Sequence, residues 1–181
     1  CEPVPADSIY RYNQESYENC YTVIGAFNYK DGAMSDTANL LGGTDNIYCS
    51  HGNIILANTE LINSDNLSKD VESFSQSTTT VSRLTIKEGQ IEYKTTGSVD
   101  GTLDNQFYID EHDGCFRFVT TVTAIKRTKK TFENAIGIID GVQYIEETDG
   151  TSAQLTVLDS ELKKVGEIKD LAKGERVYSV R

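Results

Sequence analysis

Apolar and polar residues alternate along most of this chain, and no long stretch carries a helical period. The pattern is clearest in residues 103–123, LDNQFYIDEHDGCFRFVTTVT. Phe116, Phe118, Thr120 and Val122 fall on one side of a strand, Arg117, Val119 and Thr121 on the other. The acidic turn Glu111-His112-Asp113-Gly114 precedes it, with Gly114 supplying the backbone freedom of a tight hairpin. Further strands are predicted at 20–28, 37–41, 46–50, 54–58, 78–87, 90–97, 153–158 and 163–168, with turns at His51-Gly52-Asn53 and Glu88-Gly89. A short strand at 9–12 follows a connector that holds Pro3 and Pro5. Two stretches break the rhythm. Residues 60–77 are polar and acidic and read as a loop or a short helix from Ser68. Residues 125–150 read as an insertion, in which Asp140-Gly141 between apolar runs predicts an extra hairpin.

The strands recur. Tyr48 in NIYCS, Tyr108 in QFYID and Tyr178 in RVYSV stand sixty and seventy residues apart, each in an extended apolar-aromatic tract. Tyr21-Thr22-Val23, Leu84-Thr85-Ile86 and Leu155-Thr156-Val157 form a second matching series. Each copy reads as four strands, which is the pattern of a β-propeller blade and not of a helical solenoid. The expected fold is all-β: a partial β-propeller of two four-stranded antiparallel blades plus flanking strands. Its divisions are a connector with remnant strands of a preceding blade (1–45), a complete blade (46–101), a second blade with the 125–150 insertion (102–172), and the start of another (173–181). Propellers need about four to eight blades to close. The expectation is therefore a piece of a longer protein, whose open edges invite dimerisation or domain swapping.

Composition narrows the partners. The formal net charge is −11, which argues against a nucleic-acid surface. The one basic cluster, Lys126-Arg127-Thr128-Lys129-Lys130, reads as a solvated loop. No stretch approaches the roughly 20 apolar residues of a membrane-spanning helix. Cys1, Cys20, Cys49 and Cys115 show no CxxC spacing, which argues against a zinc site. Cys49 and Cys115 fall in strands, where a buried thiol acts as a small apolar group, and the sequence leaves any disulfide pairing open.

The runs GSVDGTLDNQFYIDEHDGCFRFVTT and LTVLDSELKKVGEIKDLAKGERVYSVR resemble a family of bacterial secreted or surface proteins with a C-terminal β-propeller distantly related to WD40 repeats. The segments that carry the resemblance are residues 103–114 and 174–181. It implies an exported, membrane-tethered parent, with no established activity and no catalytic residue to carry over.

Candidate chemistry is sparse. Asp110, Glu111 and Asp113, beside His112, are weak candidates for a cation site, set against a plain polar turn without the D-x-D-x-D-G spacing of a calcium loop. Cys49 and His51 share a parity that would suit a thiol and its base, although His51 precedes a turn glycine. Tyr10, Tyr12, Tyr17 and Tyr29 are candidates for an aromatic binding platform. Asn66-Leu67-Ser68 fits a glycosylation sequon. There is no G-x-S-x-G, no H-E-x-x-H and no phosphate-cradling glycine loop, so neither a cofactor nor a catalytic residue is expected. The sequence thus points to a non-catalytic extracellular interaction module for protein, peptide or cell-wall glycan. The alternatives are part of a secreted hydrolase or lyase with its site in a propeller channel, or a structural spacer.

Overall fold

The computed structural model describes residues 9–11, 20–65, 71–133, 136 and 139–180. Its strands are β1 (Ile9–Arg11), β2 (Tyr21–Phe27), β3 (Met34–Leu41), β4 (Asn46–Cys49), β5 (Asn53–Asp65), β6 (Val71–Lys87), β7 (Gln90–Asp100), β8 (Ile109–His112), β9 (Cys115–Glu133), β10 (Ile139–Leu158) and β11 (Lys164–Leu171). A 3-10 turn, Gln106–Tyr108, leads into β8. No helix among the described residues is long and apolar enough to cross a membrane.

Two four-stranded antiparallel meanders follow one another, β4–β7 and β8–β11. Their tight turns use residues that tolerate the left-handed backbone: Glu88 and Gly89 have φ of 52° and 79°, Asp113 and Gly114 of 49° and 74°. Ahead of them lies a separate sheet of order β1-β3-β2, in which β1 runs parallel to β3.

The sheets stack because the first meander is apolar on both faces. Ile54 and Leu56 of β5 and Leu84 of β6 pack with Ala38 and Leu40 of β3. The alternate residues Ile55 and Ala57, with Val81 and Val99, pack with Leu103, Tyr108, Ile109, Phe116, Phe118, Leu158 and Leu162 of the second meander. This is strand alternation used twice, each face serving a different neighbour. Phe116 and Phe118 are fully buried, each contributing about 2–3 kcal/mol by that burial.

The link between the meanders is pinned at Asp100-Gly101. The buried Thr79 hydroxyl donates to the Gly101 carbonyl (2.7 Å) and the Thr120 hydroxyl to the Asp100 carbonyl (2.6 Å). Thr102 then bridges Thr121. The two meanders are also joined edge to edge, through β6 and β9. Residues 53–65 of β5 pair with 73–85 of β6, and residues 71–76 of β6 pair with 124–128 of β9. The strands β9 and β10 pair along almost their whole length, Phe116↔Leu158 to Glu133↔Ile139.

These long strands correct three expectations. Residues 60–65 and 71–77 are strand, not loop or helix, and Ser68 and the sequon at Asn66 lie outside the described residues. The cluster at 126–130 is no loop: it lies inside β9, where Lys126 faces Glu147 and Arg127 faces Glu146 across the ladder. Residues 125–133 and 139–150 are the outer part of the paired strands β9 and β10, and Asp140-Gly141 sits at a register irregularity within β10 instead of at a turn. Cross-strand partners supply the order that local polarity conceals. A fourth correction falls near the end of the chain. Residues 175–180 form no strand; Val177 N–H donates to the Thr121 hydroxyl (3.1 Å) and Arg176 pairs with Asp104 (3.4 Å).

Candidate functional site

The acidic tract at the β8–β9 hairpin scatters its side chains, as strand alternation requires. Asp110 is exposed and pairs with Arg117 across the hairpin. Asp113 sits at the exposed turn, 3.3 Å from His112 Nε2. Glu111 points the other way, toward the first meander, where its Oε1 accepts from Asn53 Nδ2 (2.8 Å). Asn53 Oδ1 in turn accepts from Arg83 Nε (2.8 Å), and the Arg83 guanidinium donates to the Ser160 carbonyl (2.5 Å) and lies over the Phe116 ring. Glu111 is thus one end of a polar clamp that joins β8, β5, β6 and the β10–β11 turn. Its Oε2 is buried without a hydrogen-bond partner. The Tyr48 phenol, in β4, is held above its usual pKa by burial and then by the Glu111 and Asp110 carboxylates. The three candidate cation ligands therefore have three different surroundings. Among the described residues no group of His, Cys, Asp and Glu is placed to hold a metal ion.

The other candidates separate as well. Cys49 ends β4, while His51 lies beyond it in the turn, and both are exposed. The expectation that Cys49 is buried is corrected, since it is the last residue of an edge strand; Cys115 is half-buried, and Cys49 and Cys115 are free thiols. Tyr10 stacks on Tyr93 of β7, with ring centroids 4.8 Å apart, so it docks β1 onto the first meander. Tyr29 is 90% exposed in the β2–β3 turn, next to Lys30. Tyr10 lies beside Leu40 and Tyr29 beyond Met34, roughly 20 Å of strand apart, so these two share no platform. Tyr12 and Tyr17 lie outside the described residues.

A residue without a place among those candidates stands well out into solvent. Phe107 sits on the 3-10 turn and is 73% exposed. Asn105 caps that turn, its Oδ1 accepting from Phe107 N–H (3.0 Å), and the next residue, Tyr108, is buried in the core. The ring is held outward by a turn that is anchored on both sides. It walls three adjoining grooves. One of 440 Å³ is lined by Asp45, Asn46, Ile47, Asp104, Asn105 and Gln106. A second, of 420 Å³, runs along Ile47, Tyr48, Cys49 and Gln106. The third, of 590 Å³, lies against Asp110, Arg117, Val119, Leu155 and Val180. The first two follow the seam between β4 and the turn, where Asn46 Nδ2 donates to the Leu103 carbonyl (2.7 Å) and ties the meanders together. A phenylalanine in a tyrosine-strand tract looks like core in the sequence; only the 3-10 turn, signalled by Asn105, rotates it outward.

Successive four-stranded meanders stacked face to face, in a sheet system that does not close on itself, define a partial all-β propeller. The chain belongs to the beta propeller domain family, whose model matches residues 1–181. It is also similar to an uncharacterized protein of Methanocaldococcus jannaschii, 33% identical over 86 residues that make up 48% of this chain. The matched stretch spans 11% of that protein's length. No solved structure matches.

Proposed function

We propose that this chain is a non-catalytic interaction module of an exported, cell-surface protein, and that it binds through the β4/β8 edge around Phe107. A propeller scaffold supports an interaction role in general terms. The observation that carries the particular reading is Phe107 itself: a large apolar ring kept exposed on a rigid, capped turn, with grooves on each side. Exposing such a ring forgoes burial worth about 2–3 kcal/mol, and a ligand that covers it recovers that gain. The titratable groups of the acidic tract are engaged in separate contacts with Arg117, Asn53 and His112, which favours binding over acid–base chemistry. The exported location rests on the family resemblance of residues 103–114 and 174–181. Within the blade division 46–101 and 102–172, this edge would border the central channel of the parent propeller.

The test is retention. The immobilised chain is incubated with purified cell wall and with surface proteins of its source organism. Saturable retention that is lost in Phe107→Ala is the expected result. Retention of nothing, or retention indifferent to Phe107, overturns the proposal and favours a structural spacer.

A further inference from the structure

We infer that the two grooves along the β4 seam take a neutral, hydroxyl-rich ligand, that is, a glycan chain; this rests on reading the chain as a binding module and names what it binds. The apolar C–H face of a pyranose needs an exposed aromatic ring to lie on, and Phe107 offers one with Ile47 beside it, itself half exposed. The sugar's hydroxyls each donate and accept, so they need a fringe of mixed donors and acceptors. That fringe is present and largely unengaged. Asp45 uses Oδ2 to accept from Thr59 N–H (2.8 Å), which leaves Oδ1. Asn46 commits Nδ2 to Leu103 and Asn105 commits Oδ1 to its cap, which leaves the Asn46 carbonyl oxygen and the Asn105 amide nitrogen. Gln106 is exposed and brings both halves of its amide.

Charge and rigidity favour the same ligand. No lysine or arginine lines either groove, and Asp45 repels a phosphorylated or carboxylated ligand, whereas Asp104 is paired with Arg176. The capped turn and the buried Tyr108 hold the ring in place before binding, so little order remains to be imposed. The competing occupant is a peptide strand added to the β4 edge, and the titration separates the two.

The whole chain is titrated with soluble neutral oligosaccharides, N-acetylglucosamine oligomers and glucan oligomers, and separately with a pool of uncharged peptides, while backbone amide shifts are followed by NMR. Shifts at Gln106, Phe107 and residues 45–47 on adding an oligosaccharide, weakened at least about tenfold in Phe107→Ala and kept in Phe107→Tyr, are the expected outcome. Phe107 is mostly exposed, so its truncation removes no buried side chain, and an unchanged melting transition of the variant confirms that folding is intact. If the peptides move these amides and no sugar does, the glycan inference falls and the binding-module reading stands. If neither moves them, both fall.

Discussion

At the residue scale the molecule depends on Asn53, which is buried and has a charged group on each side. Its amide nitrogen donates to Glu111 and its carbonyl oxygen accepts from Arg83, so one side chain serves an anion and a cation together. An amide carries its donor and its acceptor on separate atoms and so reaches both partners at once, whereas a carboxylate of the same size has no donor for Glu111. Asn53→Ala leaves Glu111 Oε1 without its donor beside an Oε2 that already lacks one, and leaves Arg83 Nε without its acceptor. The expected loss is about 1–3 kcal/mol, read as a lower urea midpoint at unchanged slope. Glu111→Gln removes the buried charge and is expected to cost less. In the double variant the two losses do not add, because both act on one network. An Asn53→Ala midpoint equal to that of the unmodified chain would show that the clamp contributes nothing to stability.

At the scale of elements, the strand that ends the first meander must turn directly into the second, and Gly101 makes that turn. Its φ is 90°, and a β-carbon built there would lie 2.6 Å from the Thr121 carbonyl oxygen. The main chain cannot give way, since Gly101 N–H donates to Ser77 and its carbonyl accepts from Thr79. Gly101→Ala is therefore expected to destabilise by about 1–3 kcal/mol, measured by thermal or urea unfolding, whereas Gly114→Ala, with open space around it, is expected to cost less. Equal losses at the two glycines would mean that backbone conformation, and not the close approach, sets the cost. The turn at Gly114, the hairpin at Glu88-Gly89 and the tyrosine strand β4 were legible in the sequence, because each is fixed by local chemistry: a glycine at positive φ, or alternation over several residues. Tyr108, expected in an extended tract, lies instead on the 3-10 turn, and β8 begins at Ile109. The long outer halves of β5, β6, β9 and β10 were not legible. Their serines, threonines and charged residues show no apolar period, and they are strands because each lies against another strand, as Arg127 lies against Glu146 and stacks over Tyr144. The same limit hid the candidate site. Phe107 and Asp45 are far apart in sequence, and only the packing of β4 on the turn places them in one groove.

At the scale of the whole molecule, the described residues form three layers, the β1-β3-β2 sheet and the two meanders that β6–β9 pairing joins into one sheet, and among them the middle layer is covered on both faces. On the β1-β3-β2 sheet, Ile24 turns inward to the core while Tyr21, Val23 and Phe27 project outward, with Met34 beside Phe27. At the other end, in the second meander, Leu155 and Ile168 stand opposite one another on β10 and β11, with Ile168 more than half exposed, beside Val119, which packs partly against the core. Each end of the stack therefore offers an apolar sheet face of the kind that is buried between the sheets. Contiguous apolar surface of this sort drives association, and two unlike faces lead to head-to-tail contacts. The expected behaviour of the chain on its own is self-association that grows with concentration, seen as a rising sedimentation coefficient. Val23→Lys at one end or Ile168→Lys at the other should each suppress it, since both residues are more than half exposed and a lysine there meets water in the monomer but the opposing apolar face in the complex. Neither change touches a buried contact, so the unfolding midpoint should stay within about 0.5 kcal/mol of the parent. A sedimentation coefficient that does not change with concentration would mean that the edges, strand twist and net charge of −11 already keep the two faces apart.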